Sequence, residues 1–94
     1  MDRTEFETRL RADGFQEIVA SQAAPNATTS PHAHPFDVRA LVLSGGLTLS
    51  WNGQSRRYGP GEIFEMTAGC EHSERHGAQG GEYLIGRRHR TPAA

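Results

Sequence analysis

Residues 30–53 read SPHAHPFDVRALVLSGGLTLSWNG, and this segment by itself predicts an antiparallel β-structure. The apolar-rich run 36–44 is typical of a central strand, and Gly45-Gly46 after it indicates a turn. The next run, 47–51, alternates apolar and polar residues strictly, as a strand with one buried face does. Asn52-Gly53 favours a type I′ hairpin turn, because that turn needs positive φ at both central positions. We therefore expect residues 54–58 to be the partner strand.

The same pattern continues outward in both directions. It predicts further strands at residues 15–21, 62–66, 72–76 and 82–88, separated by turns rich in Gly and Pro. The polar segment 24–31, with Pro near both ends, indicates a loop. So many short strands leave no room for β-α-β crossovers. The fold class predicted from the pattern is all-β, as a small antiparallel sandwich or barrel.

A short helix precedes the first strand. Thr4 and Glu7 have the spacing of a capping box, and Gly14 supplies the positive φ that ends a helix. Phe6 and Leu10, four residues apart, share one face. We expect that face to pack on the outside of a sheet or across a dimer seam. The predicted organisation is a helix and lead-in over 1–14, a barrel over 15–90 and a C-terminal tail over 91–94.

Length and composition restrict the class of protein. Ninety-four residues form one domain with a modest core, which favours a homodimer. The net charge of −1 gives no electrostatic footprint for nucleic acid. A single cysteine, Cys70, excludes an internal disulfide. The charged N-terminus and the absence of any apolar run of about 20 residues argue against a signal peptide and a membrane span, so we expect a cytoplasmic protein.

Four histidines indicate a metal site. His32 and His34, flanked by prolines, are two residues apart and project to the same side of extended chain. His72 and His76 share a face of a second predicted strand. Neutral imidazole suits Zn, Cu, Fe or Ni, so histidines that converge in the mouth of a barrel would bind a divalent transition metal.

The two histidine segments resemble the two motifs of the cupin family. His32-Ala-His34 followed by V-L-S-Gly45 is similar to the first motif, and Gly61 to His76, with Thr67, Gly69 and His72 at the motif spacing, is similar to the second. The resemblance covers about residues 30–88. It implies an RmlC-like jelly-roll barrel, and a divalent metal (Zn, Fe, Mn, Ni or Cu) held by two histidines and a glutamate of motif one and the histidine of motif two. His32, His34 and His72 match these positions.

The glutamate of motif one has no match, because its spacing falls on Val38 or Arg39. Three interpretations stay open. The first is a three-histidine site with water or substrate at the open position. In the second, a β-bulge lets the adjacent Asp37 reach the metal as an oxygen ligand. In the third, the metal site is lost, and Arg39 lies in the cavity and binds the carboxylate of a ligand.

Other side chains have weaker indications. Glu74, on the same side of its strand as His72, is the candidate catalytic residue. It could act as a general base, accept a hydrogen bond from a ligand histidine, or simply be exposed. His76 could complete the coordination. Cys70, in a turn, is expected to be passive, and the Arg56-Arg57-Tyr58 hairpin strand to be solvated. We expect a core that includes Trp51 and Tyr83, and a barrel interior lined by Leu41 or Val42, Leu43, Phe64 and Met66.

The function predicted from these residues is that of a small metal-binding cupin. It would be either a metal-dependent enzyme, dioxygenase- or isomerase-like, acting on a small organic substrate, or a non-catalytic ligand- or metal-binding sensor. The substrate itself cannot be named from the fold, because jelly rolls host many chemistries.

Overall fold

The computed structural model describes residues 1–89 and consists of one helix and five strands. The elements are α1 (Arg3–Ala12), β1 (Glu17–Ala23), β2 (Phe36–Trp51), β3 (Gln54–Tyr58), β4 (Ile63–Met66) and β5 (Ser73–His89). All pairings between these strands are antiparallel. The predicted all-β class with a short N-terminal helix is confirmed, whereas the predicted tail at 91–94 lies outside the described residues. No helix of the described chain is long and apolar enough to cross a membrane.

Two long strands, β2 and β5, run through the whole molecule. The first half of β2 pairs with β4 and with the second half of β5, whose other edge pairs with β1. The second half of β2 pairs with β3 and with the first half of β5. The hairpin turn between β2 and β3 is at Asn52-Gly53, where both residues have positive φ as predicted.

Gly45-Gly46 is a bulge inside β2, so the prediction of a turn between two separate strands was wrong. The register with β5 shifts on both sides of Gly45, between Val42 and Ser44 and between Gly45 and Leu47. A Cβ on Gly45 would lie 2.1 Å from the carbonyl oxygen of Gly80. The two long strands therefore approach each other here as only glycine permits, and they bend together.

The inner faces of the two halves share one buried cluster. Its members are Ala40, Val42, Leu47, Leu49, Tyr58, Phe64, Met66 and Tyr83. Val42, not Leu41, is the interior residue of the predicted pair. Tyr58 was expected to be solvated, but it lies opposite Leu47 in the register and therefore faces inward.

The helix covers the outer face of the sheet, as one of the two predicted placements had it. Phe6 and Leu10 are buried there with Phe15, Leu41 and Leu84. Leu43 packs against this outer cluster, so its predicted place inside the barrel was wrong. The helix also begins earlier than the capping box suggested. Asp2 is the N-cap, and its carboxylate accepts from the backbone N–H of Glu5 at 2.8 Å.

Candidate metal centre

Backbone hydrogen bonds bring the two histidine segments together. The N–H of His32 donates to the carbonyl of His72, and the N–H of His72 donates back to His32, both at 2.9 Å. The N–H of Gly69 donates to the carbonyl of His34 at 2.9 Å, which attaches the turn before His72 to the first segment. The first segment thus becomes a neighbour of β5, although His34 and His72 are 38 positions apart in the chain.

Three imidazoles converge at this junction. The ring centroids of His32, His34 and His72 are 4.5 to 5.2 Å apart, and one nitrogen of each lies within 4.8 Å of the others. Metal–nitrogen bonds of about 2.0–2.1 Å place tetrahedral donors about 3.3 Å apart. Small side-chain adjustments satisfy that spacing, so the three residues fit a divalent ion. His72 is only 4 % exposed and the other two are half-buried.

Two of the three rings have a fixed tautomer. Nδ1 of His32 is 2.7 Å from the carbonyl of Ser30, and Nδ1 of His72 is 3.0 Å from the carbonyl of Cys70. A carbonyl only accepts, so each Nδ1 carries a proton, and in the neutral ring the free lone pair is on Nε2. This is the form that a metal ligand needs.

His34 is held by its neighbours. Its ring stacks on Phe36 with centroids 4.9 Å apart and planes at 18°. Burial, followed by repulsion from His32 and His72, lowers the pKa of His34. The ring therefore favours the neutral state, which is the state that binds a metal.

Asp37 lies outside the histidine cluster, which corrects the expectation of an oxygen ligand there. Its side chain is on the outer face of β2, where Oδ1 accepts from the N–H of Ala68 at 2.8 Å. Oδ2 accepts from Nε and Nη2 of Arg88 at 3.1 and 2.9 Å. The register around Asp37 is regular, and the shifts in β2 come only after Val42, so no bulge turns this carboxylate inward.

Arg39 is also on the outer face, which corrects its predicted place in the cavity. Its Nε donates to Glu65 Oε1 at 2.9 Å, and its Nη1 donates to Asp13. The guanidinium lies over the ring of Phe15, 4.6 Å from the centroid. Because strand residues alternate, Arg39 must face away from its inward neighbour Ala40.

A cavity of about 240 Å³ adjoins the histidines. Its polar lining consists of His32, His34, Glu74, His76, Tyr83 and Arg87, together with Ser21 and Gln22. Glu74 and Arg87 also line a second, smaller cavity next to His34 and His72. The Glu74 carboxylate makes no hydrogen bond or ion pair with any residue in 1–89. Sequence reasoning singled out Glu74 but missed Arg87, although the alternation Tyr83, Ile85, Arg87 on β5 was a signal that it faces inward.

His76 lies beside the cavity but outside the triad. Its Nδ1 is 2.7 Å from the hydroxyl of Tyr83. Burial raises the pKa of Tyr83 to about 12, so the phenol stays protonated, and its hydroxyl shares a hydrogen bond with Nδ1 of His76. His76 is thereby held as a polar wall of the cavity. Cys70 contributes its carbonyl to His72, while its thiol packs half-buried against the core.

Comparison with known proteins identifies the fold. No protein-family model and no curated protein matches the sequence. A protein of unknown function from Rhizobium leguminosarum bv. viciae 3841 is similar with a TM-score of 0.73 and 26% identity, over 78% of this chain and 69% of that one. An RmlC-like cupin from Shewanella frigidimarina NCIMB 400 has a TM-score of 0.68 and 17% identity, over 80% and 67%.

An enzyme is among the similar structures as well. Oxalate decarboxylase from Bacillus subtilis matches with a TM-score of 0.68 and 22% identity, over 77% of this chain and 20% of the larger protein. These likenesses confirm the jelly-roll fold that the two motifs predicted.

Proposed function

We infer that this chain, which has the cupin fold, binds one divalent transition-metal ion through His32, His34 and His72 and acts on a small organic molecule in the adjoining cavity. The observation that carries the proposal is the donor set. One nitrogen from each of the three imidazoles lies within 4.8 Å of the others, and two of the rings are oriented by hydrogen bonds between Nδ1 and backbone carbonyls. Imidazole accepts Zn, Fe, Mn, Ni and Cu, so the donor set leaves the choice among them open.

When bound, such an ion supplies Lewis-acid or redox chemistry. The chain itself supplies a group for proton transfer. Glu74 lines both cavities next to the histidines, and its carboxylate has no partner among the described residues. A carboxylate in that position can take a proton from a molecule in the cavity and hold it. The enzyme among the similar folds is consistent with this assignment.

A second candidate function is binding without turnover, as in a sensor. The observation that favours it is the lining of the larger cavity, where Glu74 is the sole carboxylate among residues 1–89. A catalytic pair of one general acid and one general base would need His76 beside Glu74, and His76 is already hydrogen-bonded to Tyr83.

Metal analysis tests the proposal. We expect about one ion per chain in the wild type and loss of that ion in the His32→Ala, His72→Ala double variant. His89→Ala is the matched control, because His89 is an exposed histidine outside the triad. Circular dichroism verifies that each variant is folded. A wild-type protein that retains no ion after incubation with each of the five metals would refute the proposal.

Glu74→Gln separates the two candidate functions. An enzyme should lose turnover with its metal retained, whereas a binding protein has no turnover to lose. The homodimer and the cytoplasmic location stay predictions, and light scattering tests the first of them.

A further inference from the structure

We propose that Arg87 determines the ligand class: the cavity takes a small organic acid whose carboxylate binds the Arg87 guanidinium while a second oxygen atom faces the histidine triad. This inference rests on the proposed metal site and adds the chemistry of the molecule that meets it.

Arg87 has an uncommon location for a charged residue. It is opposite Val38 in the β2–β5 register, on the strand face that also carries Ile85 and the buried Tyr83. It lines both cavities together with His34 and Glu74. An apolar residue at this position would extend the core, whereas Arg87 places guanidinium N–H donors at the wall of both cavities.

The hydrogen bonds of Arg87 leave donors available. Nη1 donates to Glu17 Oε1 at 3.0 Å, and none of the other guanidinium N–H groups has a partner within residues 1–89. The guanidinium carbon lies 5.2 Å from the centroid of Phe36, which supports the guanidinium from one side. A guanidinium with free N–H groups at a cavity wall matches the two oxygens of a carboxylate.

The charges favour a monoanion. Glu17 compensates Arg87, and His89 also contacts Glu17. A divalent ion at the triad together with the Glu74 carboxylate then leaves one net positive charge in the cavity. A single carboxylate balances that charge, whereas a neutral molecule leaves it unbalanced in a partly desolvated site.

The dimensions favour a short molecule. His34 and Arg87 contact the same Phe36 ring, at 4.9 and 5.2 Å, so the guanidinium carbon lies no farther from the His34 centroid than these distances combined, about 10 Å. The volume of about 240 Å³ is below the range of roughly 300–1,000 Å³ that holds drug-sized ligands. A chain of three to five carbons with a terminal carboxylate and a hydroxyl or carbonyl oxygen fits both limits.

Cobalt(II) and 4-hydroxybutyrate are suitable probes for the test. The visible spectrum of cobalt reports metal binding and any new oxygen donor, and calorimetry reports carboxylate binding with or without cobalt. We expect 4-hydroxybutyrate to bind at least tenfold more tightly than its neutral analogue, 4-hydroxybutyramide. Arg87→Gln should remove that preference. Arg75→Gln, an exposed arginine on the same strand, should retain it.

Two further variants sharpen the result. Arg87→Lys keeps the charge without the planar fork, so an intermediate preference is expected even if Arg87→Gln fails to fold. Glu17→Gln removes the internal counter-charge and should tighten carboxylate binding severalfold. Equal affinity for acid and amide, or equal behaviour of the Arg87 and Arg75 variants, would overturn the assignment of Arg87. A wild-type protein without a cobalt spectrum would overturn the metal proposal, while an Arg87-dependent preference for the acid would still support this one.

Discussion

The ion pair of Asp37 and Arg88 should stabilise the fold without holding metal, and substitution can separate the two roles. The Asp37 side chain is 8% exposed and that of Arg88 is 44% exposed. Asp37 joins β2 to the turn that leads to His72, through the N–H of Ala68, and to the end of β5, through Arg88. The contact is on the outer face of the sheet, away from the histidine triad.

The structure gives an order for the costs. Arg88→Ala removes a cation, itself 44% exposed, that donates two hydrogen bonds to the buried Asp37 carboxylate, so about 1.5–3 kcal/mol is expected, the range for hydrogen bonds to charged groups. Asp37→Ala leaves the N–H of Ala68 unsatisfied, at about 1–3 kcal/mol, while the half-exposed guanidinium can turn to water. Asp37→Asn keeps an acceptor for Ala68 and loses mainly the charge, so about 1–2 kcal/mol is expected.

Urea denaturation with a shared m-value gives the free energies of unfolding, and elemental analysis of the folded variants gives the metal content. Glu65→Ala is the matched control. It removes an acid from the Arg39–Glu65 ion pair on the same face, but Glu65 is 65% exposed, so the cost should be about 0–1 kcal/mol. If Asp37→Ala left stability unchanged but abolished metal binding, Asp37 would be a ligand and the reasoning would be refuted. If it cost no more than the control, the buried pair would have no role.

Three other changes have defined outcomes. The pKa of Tyr83 is about 12 in the folded chain, against 10.0 for an ordinary tyrosine. The free energy of unfolding should therefore be unaffected by this group below pH 10 and fall as the pH rises from 10 towards 12. Urea midpoints at pH 9 and 11 check this, and Tyr83→Phe should flatten the pH dependence. Leu10→Ala should lower the free energy of unfolding by about 2–5 kcal/mol. A Cβ on Gly86 would lie 2.6 Å from a methyl of Leu10, so Gly86→Ala should be destabilising alone but less so in the Leu10→Ala background. Additive costs in a double-mutant cycle would contradict that contact. Gly45→Ala would place a methyl against the backbone of Gly80 and should abolish two-state unfolding or expression of folded protein, which circular dichroism detects; a stable variant would show that β2 and β5 are not so close.

Local pattern was sufficient for some of the structure. The hairpin at Asn52-Gly53 needs two residues that tolerate positive φ, and its strands alternate clearly, so its turn followed directly from the residues. Phe6 and Leu10 identified the buried face of the helix for a similar reason, because residues four apart in a helix lie on the same face. The helix start was placed too late because the Thr4–Glu7 box is inside the helix that Asp2 caps.

Features that depend on contacts between distant residues could not be read locally. Two consecutive glycines such as Gly45-Gly46 suit a turn and a β-bulge equally well, and only the close approach of Gly80 distinguishes the two. The candidate carboxylate-binding arginine was predicted on β2, at Arg39, because the motif spacing drew attention to that position. Which alternate residues of β2 face inward depends on the strands and the helix packed against it, and Arg39 faces outward. The inward-facing arginine is Arg87, on β5.

Strand β5 pairs with β1 and β2, and its N-terminal region bridges to Thr28, yet all three triad histidines precede it in the chain. On the ribosome, all three histidines are therefore made before the strand that supports the first histidine segment. A growing chain that has reached His72 carries all three donors, but residues 74–76 of β5, which hold residues 27–29 of the first segment, are not yet made. The β-sheet hydrogen bonds arrange the triad without help from an ion, so we expect protein refolded without metal to reach the same β-structure as protein refolded with it, as circular dichroism would show.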